Sequence, residues 1–140
     1  MNIKLDEKNV FLNLASETKE DAIKRAGKEL VHLGYVDEDY IDFMLEREKV
    51  ATTYMGLGIA IPHGVNEAKK TIKESGLVFL QYPNGIDFGD EKAYILIGLA
   101  GKGDEHLEIL SNVAIKIDED LVSKLKNTDK KEDFLEEFGE

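Results

Sequence analysis

Cysteine is absent from the 140 residues of this chain. Its absence excludes disulfides, thiolate nucleophiles and cysteine-ligated metal centres. Basic residues are scarce relative to acidic ones, 18 against 29, which leaves a formal net charge of −11. A surface this acidic repels nucleic-acid phosphates and anionic lipid, so we expect neither nucleic acid nor a membrane surface as a partner.

Long apolar runs are also missing. No run approaches the ~18 residues of a membrane-spanning helix, and residues 1–8 lack the apolar core of a signal peptide. We therefore expect a cytoplasmic protein. Because the length suits one domain with a hydrophobic core of its own, residues 1–140 are predicted to form a single unit.

Apolar periodicity predicts an α/β fold. Helical spacing runs from a Thr18 cap to the Gly34 stop, from an Asp37 cap to Lys49, and again after an Asp104 cap. Strand-like runs occupy residues 10–14, 59–61, 76–82 and 93–100, and the last is apolar enough to be the central strand. The expected fold is a small mixed β-sheet flanked by helices on both faces.

Local chemistry adds two more specific expectations. The sequence Pro83-Asn84-Gly85 is typical of a turn that ends the strand before it. In the helix after Asp104, one apolar side is predicted to contain His106, Leu107, Leu110, Val113, Ala114 and Ile117.

Histidines are the candidate catalytic side chains. His63 follows a short strand that Pro62 must end and precedes the flexible Gly64, so we expect it to be anchored on one side and exposed on the other. His106 lies in the first turn of a helix directly after a buried strand, where anionic ligands are favoured. We expect these two to converge on one site. His32 lies outside the apolar stripe of its helix and is expected to be solvated, with no role.

Two converging histidines are compatible with several chemistries. Zinc binding lacks a third suitable histidine and H-E-x-x-H spacing, and serine hydrolysis lacks a G-x-S-x-G elbow. General acid–base catalysis and covalent phosphorylation of one imidazole both remain open. Arg47, near a helix end, is suited to donate to phosphate oxygens in pairs, although a surface arginine is the commoner role at such a position.

A composite motif resembles a known family. Glu48, Met55-Gly56 and the run Ile59-Ala60-Ile61-Pro62-His63-Gly64 resemble the histidine phosphorylation signature of enzyme IIA components of the sugar phosphotransferase system, in their mannitol/fructose class. The chain also resembles the mannitol-specific members at residues 35–36, 45–49, 67–69, 81–83, 85, 88–89 and 104–106. The resemblance covers nearly the whole chain, from Val10 to the last helix.

The resemblance implies a phosphoryl relay. His63 would accept phosphate from the phosphohistidine of the carrier protein HPr, His106 would hydrogen-bond the phosphoryl group, and Arg47 would neutralise its charge. The phosphate would pass to a cysteine of the cognate enzyme IIB and on to mannitol; fructose specificity, or a nitrogen-type regulatory module phosphorylated on the same histidine, is the alternative. We expect no cofactor and no metal. Because the chain carries no fused IIB or IIC portion, we expect it to act in trans.

Overall fold

A computed structural model describes residues 3–139, and within them five strands form one mixed sheet in the order β1-β4-β5-β3-β2. Their bounds are β1 (Val10–Phe11), β2 (Tyr54–Gly56), β3 (Ile59–Ala60), β4 (Gly76–Phe88) and β5 (Glu91–Ala100). β5 pairs antiparallel with β4 and parallel with β3, so the strand predicted to be central is central.

Helices pack on both faces of this sheet, as predicted. They are α1 (Lys19–His32), α2 (Asp39–Val50), α3 (Glu105–Ala114), α4 (Glu119–Leu125) and α5 (Lys131–Phe138), with 3-10 segments at Glu7–Asn9 and Asn66–Thr71. Alternate residues of β4 face opposite ways: Val78 packs with α1 and α2, and Phe79 packs with α3, α4 and α5. No helix among the described residues is long and apolar enough to cross a bilayer.

The predicted helix ends are partly correct. Thr18 Oγ1 accepts the Asp21 amide at 3.1 Å, and α1 stops just before Gly34, which has a φ of 84°. The predicted Asp37 cap is wrong, because α2 begins two residues later and the Asp37 carboxylate instead lies 3.2 Å from Lys73 Nζ. Asp104 does occupy the cap position of α3, yet its side chain forms no capping hydrogen bond in the described structure.

The predicted turn at Pro83-Asn84-Gly85 is also wrong. β4 continues through these residues, and its register against β5 shifts between Gln81 and Ile86. The positive φ of Gly85, 76°, therefore serves a bulge rather than a reversal, and the chain reverses only at Gly89. Because residues within a bulge do not pair with the neighbouring strand, a proline without an N–H is accommodated there.

Two further details differ from the expectation. The first strand ends at Phe11 instead of continuing to residue 14, because Asn13 adopts a φ of 56°. In α3 the buried residues are Ile109 and Val113, whereas Leu107 is 71% exposed. The apolar side of α3 therefore includes Ile109, which the prediction omitted, and excludes Leu107, which the prediction placed there.

Candidate functional site

One cleft brings together the three side chains that the sequence singled out. Arg47, His63 and His106 line a space of about 300 Å³, together with Val50 and residues 64–67. The imidazole centroids of His63 and His106 are 5.0 Å apart, with the rings inclined at 55°. The expected convergence of two strand-to-helix junctions is therefore present in the structure. His32 lies elsewhere, on α1, and its exposed ring is 3.1 Å from Glu29 Oε1.

The chain leading into His63 is held on both sides. Beyond the end of β3, the Ile61 amide donates to Thr53 O at 3.0 Å, and the Leu99 amide donates to Pro62 O at 2.9 Å. This anchoring agrees with the expectation from Pro62. The side chain of His63, however, is only 8% exposed, so it is much more buried than the sequence predicted.

A backbone carbonyl fixes the orientation of the His63 ring. Nδ1 lies 2.8 Å from Ile61 O. Because a carbonyl oxygen can only accept, Nδ1 carries the proton and Nε2 keeps a free electron pair. Burial lowers the pKa of His63, which favours this neutral form at pH 7.

His106 reaches the cleft because α3 starts very close to the end of β5. A Cβ on Gly101 would overlap the Cα of His106, so only glycine permits this approach. Burial lowers the pKa of His106 most; repulsion from His63 when that ring is protonated, and from the cations Lys69 and Arg47, lowers it further. In the sequence, the strand-like run at residues 93–100 ends just before Gly101, but nothing there indicated this contact.

Arg47 lies in the last turn of α2. Its Nη1 donates to Ala51 O at 2.5 Å, a bond that closes the C-terminal end of the helix. The remaining guanidinium donors leave it able to bind an anion in the cleft.

Tyr40, on the buried face of α2, is a residue of the site to which no sequence motif pointed. Its hydroxyl accepts the Gly64 amide at 2.8 Å and donates to Leu99 O at 2.7 Å. Burial raises the pKa of Tyr40 to about 12, so the hydroxyl keeps the proton that it donates. Tyr40 therefore ties the turn after His63 to the end of β5. No local pattern could have revealed bonds to partners 24 and 59 residues away.

Lys69 was also missed. It lies in the 3-10 segment Asn66–Thr71 and lines a narrow space with His106 and Tyr40. Lys69 and Arg47 thus supply positive charge beside two neutral imidazoles on an acidic chain. Since distant charges are screened beyond ~8 Å at physiological salt, these local cations dominate the field that a bound anion meets. Among residues 3–139 no group of three or more acidic or histidine side chains is placed to hold a metal ion.

Comparisons with known proteins point to one family. The family model described as "Phosphoenolpyruvate-dependent sugar phosphotransferase system, EIIA 2" matches residues 4–140. The mannitol-specific phosphotransferase enzyme IIA component of Bacillus subtilis is 44% identical over 138 residues, which is 97% of this chain and 96% of that protein. The mannitol-specific EIICBA component of Buchnera aphidicola (Acyrthosiphon pisum) is 46% identical over 89% of this chain, and the chain spans only 20% of that protein's length.

Solved structures show the same fold. A complex of enzyme IIA and phosphorylated enzyme IIB of the mannitol system from Escherichia coli matches with a TM-score of 0.92 and 39% identity, covering 97% of each chain. The nitrogen regulatory protein IIA-Ntr of Neisseria meningitidis matches with a TM-score of 0.82 at 22% identity, over 97% of this chain and 95% of that one, so its likeness concerns the fold alone. The family match over residues 4–140 is decisive: this chain belongs to the EIIA 2 family of the phosphoenolpyruvate-dependent sugar phosphotransferase system.

Proposed function

We propose that this chain is the enzyme IIA component of a mannitol uptake system, with residues 1–140 acting as one EIIA domain in the cytoplasm. The observation that carries the proposal is the neutral His63, whose Nδ1 is engaged by Ile61 O while His106 and Arg47 line the same cleft. Family membership supplies the class of reaction, and the mannitol-specific relatives supply the sugar. Phosphoenolpyruvate, which feeds the system, is a metabolite of the cell interior.

In the first transfer, Nε2 of His63 attacks the phosphorus of the phosphohistidine on the carrier protein HPr. A bond forms between Nε2 and phosphorus while the bond to the HPr imidazole breaks. The leaving HPr imidazole keeps the electron pair of that bond and departs as a neutral ring, because its other nitrogen already carries a proton. Positive charge develops on the His63 ring, and the Nδ1–H bond to Ile61 O, 2.8 Å long, stabilises it.

The neighbouring donors serve the transferring group. Phosphoryl transfer needs in-line positioning and neutralisation of charge on the equatorial oxygens. Arg47 and His106 are the donors that line the cleft with His63, and Lys69 adds a positive charge beside His106. A fixed set of donors that needs no reorganisation lowers the barrier most effectively.

In the second transfer, a cysteine thiolate of enzyme IIB attacks the phosphorus. A sulfur–phosphorus bond forms, the bond to Nε2 breaks, and His63 returns to its neutral form with the proton on Nδ1. The 140 residues contain no cysteine, which agrees with a thiolate supplied by enzyme IIB. The match to a complex that contains phosphorylated enzyme IIB supports this choice of partner.

Incubation with enzyme I, HPr and phosphoenolpyruvate tests the proposal. The wild type is expected to take up one acid-labile phosphate, and His63→Ala is expected to take up none. His32→Ala is the matched control, since that histidine is exposed on α1 and outside the cleft. Equal labelling of His63→Ala and the control would refute the assignment of His63.

A second assay follows phosphate from the labelled protein to purified enzyme IIB domains. His106→Ala is expected to be labelled by HPr but to pass its phosphate on slowly. The substitution leaves His63 intact and removes one of the donors to the phosphoryl group. Faster transfer to a fructose-specific IIB than to a mannitol-specific IIB would change the proposed sugar specificity from mannitol to fructose. Labelling without transfer to either would favour a regulatory module.

A further inference from the structure

We propose that Glu48 is a positioning residue for the phosphoacceptor, acting through Thr53 and the Ile61 backbone to fix the His63 ring. The inference rests on the proposed function of His63 and gives a role to a residue of the signature motif that the transfer steps do not use. Glu48 does not line the cleft that the phosphoryl group would enter, and both of its short hydrogen bonds are to Thr53.

The first link is the Glu48 carboxylate. Its side chain is 6% exposed, and Oε1 accepts both the Thr53 amide at 2.9 Å and the Thr53 hydroxyl at 2.6 Å. Oε2 lies 3.5 Å from Lys19 Nζ, a longer and partly solvated contact. A carboxylate withdrawn from water requires such bonds, so two donors from one residue fix both partners firmly.

The second link runs along the backbone. The Thr53 carbonyl accepts the Ile61 amide at 3.0 Å, and the Ile61 carbonyl accepts the His63 Nδ1–H at 2.8 Å. The orientation of the Ile61 peptide groups therefore depends on where Thr53 lies. Thr53 lies after the end of α2 and before the start of β2. In this connecting segment the two Glu48 bonds hold both its backbone amide and its side chain.

Geometry, rather than charge, explains this role. Burial is the main cause that lowers the pKa of His63, and the charge of Glu48, which acts in the opposite direction, is the smallest of the causes. Both short bonds of Glu48 are to neutral donors of Thr53. An amide oxygen at the same place would accept the same two bonds.

Two substitutions of Glu48 distinguish the effect of its hydrogen-bond acceptor from the effect of its negative charge. Glu48→Gln keeps an acceptor oxygen, and Glu48→Met keeps the length of the side chain without one. We expect Glu48→Gln to be phosphorylated by HPr at nearly the wild-type rate, and Glu48→Met to be slowed about ten-fold or more, as for loss of other orienting partners. Glu46→Ala is the matched control, because it removes a negative charge from an exposed position of the same helix.

Imidazole ¹⁵N NMR of the unphosphorylated protein gives a readout that general destabilisation would not move. His63 in the wild type, Glu48→Gln and Glu46→Ala is expected to carry its proton on Nδ1 alone. In Glu48→Met it is expected to become a mixture of tautomers, with His106 unchanged. Because no phosphate is involved, this readout remains valid even if His63 proves not to be the phosphoacceptor.

Two results would overturn the proposal. One is a wild-type tautomer and rate in Glu48→Met, and the other is an equal loss in Glu48→Gln and Glu48→Met, which would assign the effect to charge. If Glu48→Met does not fold, Thr53→Val takes its place, since it removes the 2.6 Å bond and keeps the backbone bond. A slower rate with a partly mixed tautomer supports the proposal, and no change in either contradicts it.

Discussion

The imidazole of His63 is positioned mainly by backbone groups. Ile61 O accepts from Nδ1, and Pro62 O accepts the Leu99 amide, so both residues before His63 are held. The residue after it, Gly64, is held by the buried Tyr40 hydroxyl. A nucleophile fixed in this way does not need to be reoriented when its partner docks.

Tyr40→Phe tests this positioning at a single atom. The substitution leaves the Gly64 amide and Leu99 O without their 2.8 and 2.7 Å partners in a buried place. We expect the free energy of unfolding to fall by about 1–3 kcal/mol, and phosphorylation of His63 to slow. Urea denaturation and the rate of labelling by HPr measure the two effects.

Tyr54→Phe is the control for that experiment. The Tyr54 hydroxyl also accepts a backbone amide, that of Gly58 at 2.9 Å, but at the β2–β3 turn and outside the cleft. It is expected to lower stability with an unchanged labelling rate. If both variants slow labelling equally, the specific role of Tyr40 is refuted.

For the site, the sequence predicted the two histidines but not the groups that hold His63 in place. Pro62 and Gly64 around His63, and a helix start at His106, were sufficient to predict convergence of the two histidines. The orienting group of His63 is a backbone oxygen, which every residue has, so sequence cannot distinguish it. The bonds of Tyr40 join residues that are distant in sequence, and only the folded sheet brings them together.

Among the secondary-structure elements, the junction of β5 and α3 matters most for the site. Gly101 ends the strand and contacts the backbone of His106 directly. The helix can therefore begin against the sheet and present His106 toward His63, with 5.0 Å between ring centroids.

Gly101→Ala is expected to displace the first turn of α3. The new methyl group would overlap His106 backbone and side-chain atoms, so the helix must move away from β5. A shift of about 1 Å in a catalytic group costs on the order of a hundred-fold in rate, and we expect transfer to enzyme IIB to fall by about ten-fold or more.

Gly103→Ala is the matched control two residues later. Its φ of 60° imposes strain of about 1 kcal/mol on alanine, but an added Cβ would meet no atom within 4 Å. Thermal unfolding should therefore show a loss in that variant while transfer remains normal. Normal transfer by Gly101→Ala would contradict the role given to the junction.

The helices and strands were predicted well where an apolar pattern repeats over many residues. They were predicted poorly where the role of a single residue depends on how the elements pack. α1 and β5 follow from their long apolar patterns, as predicted. Gly85 has the positive φ expected of its turn sequence, yet the pairing of β4 with β5 makes it a bulge. Leu107 is apolar, but the position of α3 on the sheet exposes it.

For the molecule as a whole, two neutral histidines, the buried His63 and the half-buried His106, make stability depend on pH. Burial lowers the pKa of both His63 and His106 below the ordinary 6.5, which applies to the unfolded chain. Below pH 6.5 the unfolded chain therefore binds protons that the folded protein does not. Their contribution to stability is full above that pH and is lost as the pH falls toward the lowered values.

We therefore expect the free energy of unfolding to decrease as the pH is lowered from about 7.5 to about 5.5. The double variant His63→Gln/His106→Gln removes both groups, so its stability should change less over that interval. Urea denaturation at a series of pH values measures the two slopes. Identical slopes would show that other groups determine the pH dependence.

The central claim is that His63 accepts the phosphoryl group on Nε2, because Nδ1 is committed to Ile61 O. The most direct measurement is ³¹P and ¹⁵N NMR of the protein labelled through enzyme I and HPr. We expect one phosphate, bonded to Nε2 of His63, with the Nδ1–H signal retained. A phosphate on Nδ1, or on His106, would contradict it.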